Sequence, residues 1–204
     1  LKARPGEKYI LFTEDRRFPI RMTTDIPYKW IEEDRHDVFT GTADKGEYYT
    51  FQLGVWAARG DVNHLKVDYS ALVNKKTGES IPASAFTCFN TGGVDVTGTV
   101  FEKDCSVPKG KVQALWIGAM VPEQLAAGTY EGTVTVSAEG VETKTVNLTL
   151  NVTENVIANH GDNEPWRHSR LRWLNSQIGF DDEVIAPYIP LEIKDQTISL
   201  LGAR

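Results

Sequence analysis

The sequence predicts an all-β chain: an antiparallel β-sandwich of Ig-like or jelly-roll-like type, followed by a short C-terminal β extension. Three observations predict it. From about residue 46 to 153, apolar and polar residues alternate in short runs, and period two gives a strand one buried and one wet face. Turn-forming residues separate those runs at sandwich spacing. No helical period is sustained anywhere, and no repeat or low-complexity tract intervenes.

The elements follow in order. The chain opens on an irregular N-terminal segment; residues 23–46 are charged and are expected to be irregular, with one helical turn over 30–35. Tyr49, Phe51, Leu53 and Val55 then share one strand face, which leaves Trp56 on the other. Leu65, Val67 and Tyr69 repeat the period, residues 74–78 form a polar turn, and Ile81 and Pro82 open an extended stretch to Phe89. Residues 112–121 are nearly all apolar, which suits a strand buried on both sides with Trp116 in the core. Residues 122–128 leave room for one helical turn at most. Tyr130, Gly132, Val134 and Val136 next alternate with polar residues, Glu139 and Gly140 make a tight turn, and Val146, Leu148, Leu150 and Val152 return. This predicts a long antiparallel hairpin.

Residues 159–165 form a polar connector containing Gly161 and Pro165, a candidate boundary. It divides the chain into a sandwich domain with an irregular N-terminal segment (1–158) and a connector with the start of a second β region (159–204). The basic stretch 167–173 is expected as a strand or short extended arm. Residues 189–193 and 197–201 read as two strands joined by Lys194, Asp195 and Gln196, and the apolar pattern running up to Arg204 suggests that this second region is truncated. Ile189, Leu191, Ile193, Ile198, Leu200 and Leu201 would each contribute roughly 1.5–3 kcal/mol on burial, and two strands alone are marginal in water. The tail is therefore expected to pack on the sandwich through the arm from Trp166 to Trp173, so that deleting residues 160–204 would lower the melting temperature.

Composition excludes several classes. A chain of 204 residues can bury a full core. Its net charge of −6, with both signs mixed, gives no attraction to phosphate backbones or anionic lipid, so no nucleic-acid partner is expected. No apolar run approaches the roughly 20 residues of a spanning helix. The chain starts at Leu1 rather than Met, which is compatible with a removed signal peptide. Cys88 and Cys105 either form a disulfide, as an exported protein would allow, or are two buried thiols. His36, His64, His160 and His168 are scattered rather than set at ligand spacing, so no metal and no cofactor is expected.

The remaining motifs carry little chemistry. The clusters Glu32-Glu33-Asp34 and Asp181-Asp182-Glu183 have the residue types for glycoside hydrolysis or Ca2+ binding. Adjacent carboxylates repel, however, and belong by default to solvated turns. No Gly-x-Ser-x-Gly elbow presents a nucleophile, and Gly92-Gly93 lacks the rest of a phosphate loop. Among the tryptophans, Trp56, Trp166 and Trp173 are the candidates for stacking on sugar; the competing reading is core or interface packing. Asn147-Leu148-Thr149 and Asn151-Val152-Thr153 match a glycosylation pattern that is frequent by chance.

A family resemblance adds to this reading. Residues 46–55, then Ile81-Pro82-Ala83, Gln113-Ala114-Leu115-Trp116-Ile117 and Gly128-Thr129-Tyr130-Glu131-Gly132 resemble the N-terminal β-sandwich of glycoside hydrolase family 123-like proteins. These are large secreted or surface proteins of gut Bacteroides-type bacteria. Trp173-Leu174-Asn175-Ser176, with Asp181-Asp182-Glu183 and Pro187-Tyr188, resembles the segment leading into their next β region. The resemblance spans most of residues 46–204 and rests on short phrases rather than a catalytic motif. It implies an extracytoplasmic protein of carbohydrate metabolism. In that family a neighbouring Asp-Glu pair in a downstream (β/α)8 barrel hydrolyses N-acetylgalactosamine-type β-glycosides. A barrel of roughly 250 residues has no room here, and Asp182-Glu183 matches the linker, so no catalytic residue is assigned.

The expected function is thus a non-catalytic accessory or structural domain of a larger secreted glycoside hydrolase acting on N-acetylhexosamine-containing glycans. Its expected partner is a downstream catalytic barrel of the same polypeptide, with glycan as a further candidate. A carbohydrate-binding module is the alternative and would need two or three exposed aromatics in one cluster. An Ig-like partner-binding domain would show a large exposed apolar patch.

Overall fold

The computed structural model describes residues 2–33, 37–163, 166, 170–176, 184 and 189–199. The strands are β1 (Ile10–Asp15), β2 (Val38–Lys45), β3 (Tyr48–Trp56), β4 (Lys66–Tyr69), β5 (Leu72–Val73), β6 (Ser80–Ile81) and β7 (Phe86–Cys88). They continue with β8 (Gly92–Val94), β9 (Val100–Glu102), β10 (Val112–Met120), β11 (Gly128–Ser137), β12 (Lys144–Val156), β13 (Glu192–Lys194) and β14 (Thr197–Ser199). Two short helices, α1 (Tyr28–Glu33) and α2 (Arg170–Leu174), and two 3-10 turns complete the described elements.

Two sheets face each other, as the period-two runs predict. One has the order β1-β3-β10-β7; the other is β2-β12-β11-β5-β6, with β4 also paired to β11. Phe51, Leu53 and Val55 of β3 and Leu115 and Ile117 of β10 meet Val134, Val146, Leu148 and Leu150 in one buried cluster. The long hairpin forms in register, Tyr130 opposite Leu150 and Val134 opposite Val146.

The N-terminal part departs from expectation, because β1 and β2 are regular strands. Moreover β2 runs parallel to β12, with Phe39 opposite Leu148, so the pairing is mixed. Their signal is weak in sequence. The inward positions of β2 are Phe39, Gly41 and Ala43, and the latter two are too small to read as apolar. Gly41 is required there, since the Tyr49 hydroxyl occupies the space a Cβ would need.

Strand β3 is buried on both faces up to Trp56. Its outer face is covered by residues 16–33: Ile20 and Trp30 pack with Phe12 and Val112. Two buried polar side chains hold that cover. Gln52 accepts the Ile20 N–H at 2.8 Å and donates to the Asp15 and Phe18 carbonyls. Glu14 accepts Trp30 Nε1–H at 2.7 Å, Lys29 Nζ at 2.9 Å and the Asp15 N–H at 2.8 Å. Each buried polar atom is thereby bonded, as burial demands.

Three other expectations are corrected. Leu115, Ile117 and Ala119 take the core side of β10, so strand alternation turns Trp116 outward, where it is half-buried. The basic stretch is not extended in its described part; residues 170–174 are helical, in keeping with the helix propensity of Arg and Leu. The tail does form β13 and β14, but its described apolar residues are not buried on the sandwich, since Leu191, Ile193 and Ile198 are all exposed.

Candidate functional site

A concavity lies against the outer face of β3 and β10. Beyond the cover of residues 16–33, this face carries Tyr48 and Met120, which lie opposite one another. Tyr48 lies across Gly118, where any Cβ would strike its ring. Val94 and Val100 of the β8–β9 hairpin line the concavity, as do Arg172, Asn175 and Ser176 at and just beyond α2. Its volume is about 560 Å3, and Ser84 and Thr87 also line it. Burial pushes the Tyr48 phenol up to about 12, with Thr87 and Arg172 pulling the other way. The phenol is therefore neutral at any physiological pH. Arg172 is tied to Asp162 at 3.0 Å. Arg172 Nε is buried without a hydrogen-bond partner. Among the described residues, the lining offers hydroxyl, amide, guanidinium and aliphatic groups and no carboxylate.

A second cluster centres on His64. Its φ of +55° is unusual for a residue with a side chain. Nδ1 donates to Asp104 Oδ1 at 2.7 Å, and Nε2 lies 3.7 Å from Glu139 Oε2. Ser106 Oγ donates to Asp104 Oδ2 at 3.2 Å rather than to the imidazole. The order needed for an activated serine is therefore broken. The backbone explains the cluster better: Ser106 Oγ accepts the His64 N–H, Leu65 N–H reaches the Cys105 carbonyl, and Glu139 N–H reaches the Asn63 carbonyl. His64 fastens one loop to two neighbours.

The three candidate tryptophans differ in exposure. Trp56 is half-buried against the Phe12–Trp30 cluster, at the opposite end of β3 from Tyr48. Eight residue steps along the strand separate those ends, roughly 26 Å. Trp166 and Trp173 are 77% and 44% exposed on the connector. Of the two alternatives for Cys88 and Cys105, the structure shows free buried thiols, and burial raises both pKa values. Glu32 and Glu33 are exposed at the end of α1. Asp34 and the Asp181-Asp182-Glu183 cluster lie outside the described residues. Among the described residues, no three His, Cys, Asp or Glu side chains are placed to hold a metal ion, and no helix is long and apolar enough to cross a membrane.

The sequence reading missed Tyr48 and Arg172. A usable signal was present: Tyr48, Trp56, Trp116 and Met120 stand on the nominally wet face of their strands, and a wet face with such residues is a covered one.

The class defined by the fold is a two-sheet β-sandwich of mixed pairing. Among solved structures it is similar to a family 123 glycoside hydrolase from Clostridium perfringens, described for glycolipid glycan hydrolysis. That likeness has 17% identity and a TM-score of 0.58, and covers 73% of this chain and 28% of that one. The chain therefore spans little more than a quarter of that hydrolase's length. It also matches PapD-like domain 7 of human CEP192 (18% identity, TM-score 0.40, 59% of this chain and 83% of that one). A further match is MyfA, the major fimbrial subunit of Yersinia enterocolitica (15% identity, TM-score 0.35, 59% and 94%). At 17% identity, the likeness to the hydrolase shows the sandwich fold alone. No protein-family model matches the chain, and no curated protein sequence matches it.

Proposed function

We propose that this chain is a non-catalytic accessory β-sandwich of a larger secreted glycoside hydrolase of the family 123 type, found in Bacteroides-type bacteria. The observation that carries the reading is the fold likeness to one such hydrolase over 73% of this chain and only 28% of the other. The sequence phrases at residues 46–55, 113–117 and 128–132 support the same family. In this reading residues 1–158 brace the enzyme and 159–204 lead onward. A barrel of the same polypeptide performs hydrolysis of N-acetylhexosamine glycans outside the cytoplasm. The chemistry of the described residues agrees: Glu14 is consumed by Trp30 and Lys29, and the His64 cluster fastens loops.

The test is an assay of the chain on aryl β-N-acetylhexosaminides. No turnover is expected. Turnover that disappears in Asp182→Asn or Glu183→Gln would overturn the reading.

The exposure of Trp166 and Trp173 favours a second reading, in which the connector contacts glycan. An indole face suits the apolar face of a pyranose. Titrating N-acetylgalactosamine oligosaccharides against tryptophan fluorescence checks it: saturable quenching lost in Trp173→Ala supports the contact, and no response at millimolar sugar rejects it.

A further inference from the structure

The sandwich ends at a turn that is both strained and anchored. Asn159, His160 and Gly161 have φ of +52°, +54° and +76° in succession. Side-chain-bearing residues avoid this region because Cβ crowds the carbonyl, and they visit it singly rather than in runs. Such a run persists only where the surroundings over-determine it.

The surroundings are specific. The turn joining β2 to β3 grips the outgoing strand step by step. Asp44 Oδ1 accepts from Thr153 Oγ1 and, at 3.4 Å, from Asn155 Nδ2. The Lys45 carbonyl accepts the Ile157 N–H at 2.8 Å, while Lys45 Nζ pairs with Glu154. The Gly46 carbonyl accepts from His160 Nδ1 at 3.1 Å. Glu123, just past β10, accepts the His160 N–H at 3.2 Å. On the far side, the Asn159 carbonyl accepts the Asp162 N–H at 2.9 Å, and Asp162 takes the guanidinium of Arg172 from α2. Gly46 makes the close approach feasible. Its φ is +73°, and a Cβ there would meet both the Ile157 carbonyl oxygen and the Glu123 side chain.

We propose that residues 157–162 form a rigid orienting elbow: a left-handed turn, locked to the β2–β3 turn, that sends the chain off the sandwich in one direction and seats α2 over Tyr48. The polar composition of 159–165 reads instead as a flexible linker, and the two ideas predict opposite behaviour. The elbow stands whether or not an enzyme follows, so its test is separate from the glycosidase assay.

Amide hydrogen exchange on the full chain decides it. Ile157, His160 and Asp162 are expected to exchange at least about tenfold more slowly than in a peptide of the same sequence, as bonded amides do. Glu123→Ala combined with His160→Ala should abolish that protection at Ile157 and Asp162 and leave Leu150 in β12 protected. Asn159→Gly, which relieves strain but removes no bond, should keep it. Exchange of the unaltered chain at peptide rates, or protection that survives the double substitution, overturns the proposal. Gly46→Ala is the harsher probe, and the double variant carries the test if that protein fails to fold.

Discussion

Two of the antiparallel hairpins, β11–β12 and β13–β14, have opposite fates. In β11–β12, Val134 faces Val146 and both are fully buried. In β13–β14, Ile193 faces Ile198 in the same kind of cross-strand pair, yet these side chains are 74% and 67% exposed. Local pattern and turn chemistry suffice to draw both hairpins. What separates them is the opposing sheet, present for one and absent among the described residues for the other. Burial rather than pairing supplies most of the free energy.

The largest break in that comparison comes from the covered hairpin. Leu148→Ala in β12, which is 2% exposed, should cost about 2–5 kcal/mol in denaturant melts, counting the cavity left behind. A loss below about 1 kcal/mol would mean that the core relaxes around it, and the contrast would weaken.

Next comes the polar fastening on the outer face. Glu14→Ala strands the Trp30 indole N–H and the Asp15 N–H in a buried setting, and should cost about 1–3 kcal/mol. The same substitution should red-shift and quench Trp30 fluorescence as residues 16–33 loosen. An unchanged spectrum would show that the apolar contacts of Ile20 and Trp30 hold the segment unaided.

A pH-dependent difference follows from the buried phenols. Burial pushes Tyr48 and Tyr49 up to about 12, and raises Tyr9 and Tyr69 further. The folded state therefore holds these protons more tightly than the unfolded chain, where the value is about 10. Their stabilisation is complete below about pH 10 and is lost as pH rises through 12. Phenolate absorbance of these buried residues should appear together with unfolding. Non-cooperative ionisation of all seven tyrosines near pH 10 would contradict this burial.

The smallest effect belongs to the uncovered hairpin. Ile198→Thr, or removal of residues 189–204, should move the melting temperature by no more than about 2 °C, what about 0.5 kcal/mol produces in a domain of this size. A larger fall would show that the tail does pack on the sandwich.

These contrasts also mark what the sequence makes legible. Strand β3 and the long hairpin are plain in it because Tyr49, Phe51, Leu53 and Val55, and later Val134, Val136, Val146 and Leu148, alternate without interruption. Strand β2 is hidden because glycine and alanine occupy inward positions, where the bulk comes from Tyr49 across the gap. The outward side of Trp116 is hidden in the sequence because an all-apolar run conceals its own period. A second layer on the outside of β3 and β10 accounts for that run better than double burial in the core does. The left-handed turn at Asn159 is invisible to any hydrophobic period, since it records backbone angles and long-range bonds to Asp44, Lys45 and Gly46. The cavity beside Tyr48 needs residues from β3, β10, the β8–β9 hairpin and the end of α2, a conjunction only the tertiary fold creates.

The parallel seam between β2 and β12 has a consequence for how the chain is made. Lys45 and Glu154, which pair across that seam, are 109 positions apart. A ribosome releases the N-terminal strand long before its neighbour exists. During that interval β1, β3 and β10 can assemble the first sheet, since they precede residue 121. The strand beginning at Val38 meanwhile waits with both flanks open, a bare edge of the kind that recruits other chains. Completion must await residue 156, and closing so distant a contact is slow. Gly41 and Ala43, poor in apolar bulk, make the waiting strand a less adhesive one.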